Sequence, residues 1–564
     1  MDILERTDPL WSLLKAALGF ALAVMLVHTG SFLSKVWHYR SLMRRLDKAG
    51  KPMPKHNAFL GHMLAAKDLT DKLPPMAGSI YILNGLSKQL GDTGAFYFDS
   101  YPIAVPLLVI TDPFIANQVI AHPWTGSEKP YTLDAWFAPI SGRGGLNLFT
   151  ENGLEWRRSH EMFLPFFNNS NLDGTLPVVM QEMLIFRDIL RRKATSPETL
   201  RLEPIVLHLM NDVIGHVVFN AKLNNQTSGS HPLSNLMLLQ LELKFAINNV
   251  IDNIGQLNPF RKLAIWDNGR KLDTHIKAQI EARVEIFRSA KIHDEHEPFN
   301  SLLDQALAHY YAQPGRRQFE PLDAESMKVL ISQLRMFFFA GNDSTAATMI
   351  SLCYFIWKHP SVLANLRAEH DEVFGRNIAA CPDLIVENPS ILNSLPYTNA
   401  CIKEAMRLFP PANGIREGCK DLVLRGRDGT EYPTEDVLVQ MNHISIQRNP
   451  KAWVRPDEYL PERFLVGPED ELSPPKGAWR PFEYGTRNCT GQAFVVKELK
   501  VFLAIVAREF DFEERYNEIY AGEKVDLSSV FGEKAFLVEA GSSHPRGQFP
   551  CRIRMSGYMG KEER

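Results

Sequence analysis

From Asp323 to Pro360 the sequence reads as one helix of about 35 residues, and a helix of that length sets the scale of everything around it. Asp323 can cap its start, and Pro360 stops it soon after Lys358. At roughly 1.5 Å per residue it would run about 50 Å, some three times the usual length. A membrane span is the rival reading, yet Lys328, Gln333, Arg335, Asn342 and Asp343 would each be costly in lipid. The spacing therefore predicts a helix crossing the middle of a large domain. Its centre, Ala340-Gly341-Asn342-Asp343-Ser344-Thr345, places poor helix formers where nothing local requires them, which would allow a bulge or kink beside a ligand.

Composition allows such a domain: the 564 residues are 45% hydrophobic and 23% charged, which argues against disorder. The 62 basic and 65 acidic residues nearly cancel, so no excess of positive charge points to nucleic acid. Six cysteines (Cys353, Cys381, Cys401, Cys419, Cys489 and Cys551) are scattered without close pairing, which suits a reducing compartment better than a disulfide or zinc framework.

The N-terminus is a separate element. Ala16 to Ser34 runs for 19 residues without a formal charge, nearly enough to span a hydrocarbon core of about 30 Å. Asp2, Glu5 and Asp8 outnumber Arg6 and Lys15 before it, whereas Lys35, Arg40, Arg44, Arg45, Lys48, Lys51 and Lys55 follow it. The positive-inside tendency then puts the body of the chain in the cytosol. A cleaved signal peptide or a surface helix are the alternatives, but a small-residue cleavage site and a polar face are both missing. The expected organisation is 1–34 with a transmembrane anchor at about 13–34, a basic and proline-bearing connector at 35–60, and one catalytic domain at 61–564. Within that domain, helical periodicity dominates from about Glu151 to Phe374, and short β-type runs gather near Pro106–Thr111, between Cys419 and Pro461, and in the last forty residues.

The strongest chemical signal is Phe482 to Gly491, FEYGTRNCTG: one cysteine in a glycine-bearing loop, followed by the apolar periodic segment Gln492 to Phe510. Gly485 and Gly491 permit tight backbone around a sulfur. The N-terminus of the following helix would favour thiolate, the form a soft metal ligand needs. A lone cysteine is ordinarily a small buried hydrophobe, but this one has a pattern around it.

That pattern resembles the haem-binding loop of the cytochrome P450 family, with all five fixed positions present: Phe482, Gly485, Arg487, Cys489 and Gly491. The resemblance extends over roughly residues 50 to 555. Glu404 and Arg407, three apart on a helix, would alone be a solvated pair. The resemblance implies instead that they join Arg463, from Pro461-Glu462-Arg463-Phe464, in a buried network supporting the cysteine loop. Ala340, Gly341, Asp343 and Ser344 match the family's oxygen-activating segment, in which an acid and an alcohol deliver protons. Most members have Thr where this chain has Ser344, with Thr345 following, so the methyl that fixes the hydroxyl rotamer is absent. Trp156 and His160 match a propionate-binding helix that usually carries Arg at the second position, and Arg416 and Arg487 occupy further propionate-binding positions.

The resemblance implies a mainly α fold with a smaller β-rich part, haem b (iron protoporphyrin IX) bound through Cys489, and monooxygenation of a lipophilic substrate, with fungal microsomal secondary metabolism as the setting. The electrons would come from NADPH through NADPH-cytochrome P450 reductase, with cytochrome b5 as a second candidate donor, because no dinucleotide fingerprint accompanies the haem motifs. The implied location is the endoplasmic reticulum membrane, single-pass, with the catalytic domain cytosolic. Lys497, Lys500 and Arg508 recur at helical spacing and would give a basic face for an acidic partner, although a solvated face explains them equally well. Trp136, Phe137, Phe337, Phe338 and Phe339 are candidates to line an apolar pocket, and core packing is the simpler account. Two other activities stay open: a haem-thiolate isomerase or dehydratase needing no external electrons, and a membrane haem-binding protein without catalysis.

Overall fold

The computed structural model describes residues 9–123, 126, 128–142, 147–245, 258–292, 301–316, 320–522 and 529–558. The acidic N-terminal flank at Asp2, Glu5 and Asp8 therefore lies outside the described residues.

The long helix forms over Ala324–Lys358, 35 residues. Asp323 caps it by accepting from the Ser326 N–H, and His359 ends it ahead of Pro360. Its middle is buried on almost every side, from Leu334 through Phe338 to Ile356. The bulge that this centre would allow is not there, because the segment stays α-helical through Thr345. Close packing against the helix Glu203–Phe219 overrides the weak local propensity: a Cβ at Gly341 would meet Ile214 Cδ1 at 2.8 Å, so glycine is what lets the two backbones approach.

Among the described residues the β-rich part is a four-stranded sheet and three smaller sheets. The larger sheet runs Ala95–Phe98, Leu107–Ile110, Leu438–Met441, Gly414–Glu417 in that order. Its outer pairs are antiparallel and its central pair is parallel, with Leu108 opposite Val439 and Arg416 opposite Val439 on the other edge. A hairpin of Leu537–Ala540 with Ser542–Pro545 turns on Gly541. The sheet residues Leu108, Ile110, Val439 and Met441 share a core with Leu42, Met43 and Leu46.

Those last three residues belong to the N-terminal helix, which runs unbroken over Pro9–Lys48. Its apolar part is exposed and has a mean hydropathy of 1.8, long and apolar enough to cross a membrane. The basic run expected in a connector is thus helical to Lys48, and its last turns are packed onto the sheet. Proline-bearing chain without regular structure follows from Lys51 to His56. A buried ion pair fixes the junction. Arg40 bonds Asp99 and also donates to the carbonyls of Phe59 and Tyr101, both at 2.8 Å. His62 Nδ1 accepts from the Asp99 N–H at 2.9 Å, and burial depresses the His62 imidazole to about 4.

Breaking a buried pair from one side leaves a desolvated charge, so Asp99→Ala should destabilise the fold by about 3–5 kcal/mol. The double change Arg40→Met with Asp99→Leu should recover much of that loss, as read by urea unfolding of the detergent-solubilised chain.

Candidate cofactor site around Cys489

The cysteine loop is shaped by its own backbone. The Cys489 N–H donates to the Phe482 carbonyl at 2.9 Å and the Asn488 N–H to the Gly485 carbonyl at 3.1 Å, after which the helix Gln492–Val506 begins. Gly485 sits at φ +87°, and a side chain there would collide with Ile120. Phe482 is buried against Trp479, whose indole donates to the Lys403 carbonyl at 2.9 Å. Cys489 itself is exposed, although it lies deep in the protein's mass. A side chain that is deep and still accessible looks onto internal open space. Burial pushes its thiol up, and the Gly491 N–H works the other way. The expected thiolate-favouring influence of the helix N-terminus is thus outweighed by desolvation in the protein alone.

Beneath the loop, the Glu404 carboxylate takes both Arg407 and Arg463, and none of the three side chains is exposed. Arg407 binds it in bidentate fashion, with both contacts at 2.8 Å, while Arg463 Nε lies 3.0 Å from Oε1. Remaining donors go to carbonyls: Arg407 to Gln447, Pro456 and Glu458, and Arg463 to Val454 and Arg455. The guanidinium of Arg407 stands 4.9 Å over the Trp453 ring. The three charged residues named from the motifs are therefore in direct contact.

A cluster of cations adjoins the loop. Arg487 is buried, stands 4.7 Å over Trp156 and reaches the carbonyls of Leu148 and Phe149. Trp156 and His160 lie on the helix Gly153–Phe163 with ring centroids 4.9 Å apart. Arg416 is near enough to repel Arg487, but it already has a counter-ion, Glu483, at 2.6 Å. Sequence reasoning missed two members. Glu483 adopts φ +61° inside the cysteine loop, where Arg416, His443 and Arg480 surround it. Burial would raise Glu483, but those three partners hold its carboxyl down at about 2. Lys129 is buried beside Phe149, and desolvation together with Arg416 and Arg487 pulls it well below the ordinary lysine value. Burial and Arg416 likewise bring Arg487 down to about 10. Two buried cations that repel each other make a favourable place for an anion. No motif flagged Lys129, because the charged groups around it, Arg416, Glu483 and Arg487, come from distant parts of the sequence.

On the long helix, Ala340 is exposed and Ser344 and Phe337 are half-buried, although their neighbours are packed. These three share one helix face, so that face also borders open space. Phe337 is within 6.3 Å of Phe167, and a Cβ on Gly491 would touch both Phe167 and the Cys489 sulfur, which links that face to the cysteine loop. Ser344 Oγ donates to the Ala340 carbonyl at 2.8 Å, a tether standing in for the missing methyl. Thr345 is fully buried with no partner for its hydroxyl, so it does not share the open face. Asp343 is buried and turned to the hairpin, accepting from the Ser542 N–H at 2.7 Å and lying 3.1 Å from His544 Nε2. Burial would raise its carboxyl, but His544 and Ser542 keep it below its ordinary value.

The basic face is not available. Lys497 pairs with Asp173, Lys500 donates to the Leu392 carbonyl, and Arg508 is buried against Asp371 and the Gly375 carbonyl. These stems find acceptors on other elements, which helical spacing alone could not reveal. Of the aromatic candidates, Phe338 is core against Phe219, Phe137 joins Phe149 and Phe339, and Trp136 is exposed beneath the Lys244 ammonium.

The chain matches the family described as Cytochrome P450 over residues 83–525. It is 32% identical to Cytochrome P450 monooxygenase polC of Polytolypa hystricis, with 99% of each chain covered. It is 27% identical to Cytochrome P450 monooxygenase acrF of Aspergillus aculeatus, over 82% of this chain and 94% of the relative. Among solved structures, the crystal structure of the cytochrome P450DA heme domain has the same fold, with a TM-score of 0.70 at 19% identity, covering 90% of this chain and 98% of that one.

Because the folded Glu483 carboxyl sits at about 2 against 4.5 for an unpaired one, its contribution to stability is full above about pH 4.5 and fades as pH falls toward 2. Glu483→Gln should therefore be less stable than the parent at pH 7, with the gap narrowing across that window in urea titrations followed by tryptophan fluorescence.

Proposed function

This chain belongs to the cytochrome P450 family, and from that premise we propose a membrane-anchored haem-thiolate monooxygenase in which Cys489 binds the iron. One observation carries the reading: the only exposed cysteine of the six lies in the five-residue motif, beside Phe167, which packs against Phe337 on the helix face that also carries the exposed Ala340 and half-buried Ser344. The residues around it fit haem. The sulfur is exposed, an apolar face lies nearby, and the buried Lys129 and Arg487, with His160 and Trp156 packed beside Arg487, supply cations and N–H donors suited to two carboxylates. Arg416 acts at one remove in this reading, because its charge is already matched by Glu483. Phe482 would hold the loop in place through its packing on Trp479 and its carbonyl's bond to the Cys489 N–H.

When bound, haem supplies dioxygen binding and its reductive activation; the net reaction places one oxygen atom in the substrate and the other in water, with two electrons from NADPH. The chain's own residues bind and exclude. Glu404, Arg407 and Arg463 hold the loop rigid, and Ser344, tethered to the Ala340 carbonyl, presents a hydroxyl at a fixed place for proton transfer. Asp343 supplies the acid, and Thr345 contributes packing. The half-buried Phe337 suits a lipophilic substrate, and the fungal relatives support secondary metabolism as the setting. The electron donor is NADPH-cytochrome P450 reductase, with cytochrome b5 as a second donor. Arg40 is neutralised by Asp99 and adds little to orientation, yet Lys35, Arg44, Arg45 and Lys48 suffice to keep the body cytosolic at the endoplasmic reticulum.

Cys489→Ala should abolish the thiolate-type carbon monoxide spectrum that the reduced parent chain shows, and turnover should require both NADPH and reductase. A thiolate-type spectrum in the variant, or product without NADPH, would refute the assignment. Ser344→Ala should release more peroxide per NADPH than the parent, whereas Ser344→Thr should not.

A further inference from the structure

The acid of the long helix is not alone. His544, on the strand Ser542–Pro545, sits between two carboxylates: Nε2 is 3.1 Å from Asp343 Oδ1, and Nδ1 is 3.0 Å from Glu203 Oε1 at the start of the helix Glu203–Phe219. All three side chains are 10% exposed or less. The Ser542 hydroxyl lies 3.0 Å from the same Nε2, and the Ser542 N–H holds the other oxygen of Asp343. The hairpin cannot shift away from this contact easily. A Cβ on Gly541, at φ +105°, would stand 3.0 Å from Asp343 Oδ2, and the Ser543 N–H is bonded to the Pro411 carbonyl at 2.9 Å. The second oxygen of Glu203 and the His544 Nδ1 are both buried without a hydrogen-bond partner, so at 3.0 Å Glu203 acts on the ring by its charge.

Charge accounting fixes the state of the ring. With a neutral imidazole the site would bury two carboxylates with no positive charge between them, which favours the imidazolium form of the ring. Burial alone would lower His544, but Asp343 and Glu203 push it well above its ordinary value. Asp343, in turn, accepts hydrogen bonds on both oxygens and holds no proton of its own near neutrality. The acid expected to deliver protons must therefore receive them first.

Resting on the monooxygenase reading, we propose that His544, charged by Glu203, is the proton store for Asp343 and so a positioning residue that sets proton supply to the Ser344 face. In the step, the Nε2–H bond breaks with its electron pair left on nitrogen, and an O–H bond forms on Asp343 Oδ1. Imidazolium and carboxylate become imidazole and carboxylic acid, Glu203 stays a carboxylate 3.0 Å from Nδ1, and solvent returns the proton. No electron moves, so the step balances without another reactant.

Two measurements on the full-length chain test this. Histidine labelled with 15N should give, at pH 7.5, one imidazole with both nitrogens protonated, a signal lost in His544→Gln and shifted in Glu203→Gln; this readout needs no haem. With haem bound and reductase present, NADPH oxidation without added substrate should fall about tenfold or more at pH 8 in His544→Gln, with a changed pH profile and solvent deuterium effect. Glu203→Gln should move both in the same direction, which a packing role would not. Both variants should keep the thiolate-type carbon monoxide spectrum of the parent. A singly protonated His544 at pH 7.5, or an unaltered pH profile and deuterium effect in both variants, overturns the proposal. Failure of the parent chain itself to give that spectrum would instead overturn the Cys489 reading, while the nitrogen signal would still decide the state of His544.

Discussion

The geometry of this protein hangs on one carboxylate, Glu404, which neutralises two fully buried guanidinium groups. Taking three charges out of water is expensive, and the cost is offset only because every remaining donor nitrogen of Arg407 and Arg463 reaches a carbonyl. Those carbonyls belong to the irregular stretch from Gln447 to Glu458, so the ion cluster gives shape to chain that has no secondary structure of its own. Gln447 extends the arrangement: its amide donates to the Met406 and Arg407 carbonyls and accepts the Arg480 N–H. The Arg480 carbonyl in turn accepts the Glu483 N–H, and the cysteine loop begins there. The position of the sulfur is therefore set by electrostatics some eighty residues earlier in the chain.

Two buried regions of opposite charge lie in different parts of the fold. On the loop side, Lys129, Arg416 and Arg487 repel one another around Glu483. On the hairpin side, Asp343 and Glu203 share the cation of His544. In the proposed reading, the gathering of cations would hold the carboxylates of a cofactor, whereas the surplus of acids would retain protons. Keeping the two apart lets one fold do both.

Much of this could be read from sequence where the partners are local or the motif is dense. Asp323 and Pro360 delimited the long helix, and Cys489 stood out because four other fixed residues surround it. The Glu404, Arg407 and Arg463 cluster was legible only through the resemblance, since its third member comes from another segment. What stayed hidden depended on contacts between distant elements. Lys129 and His544 carry no local signature, Glu483 hid inside the motif as a variable position, and Lys497, Lys500 and Arg508 looked like a free face until their acceptors were in view. The unbroken α-helix through this centre has the same origin, because Ile214 packs on Gly341 where local propensity alone is weak.

The unbroken N-terminal helix makes the apolar segment and the sheet a single rod, clamped at one end by Arg40 and Asp99. A rod of this kind works as both ruler and dial. Each residue inserted between Ser34 and Arg40 would lift the body by about 1.5 Å and turn it by roughly 100° about the rod's axis. The number of residues in that short stretch therefore decides which side of the body is presented to the bilayer.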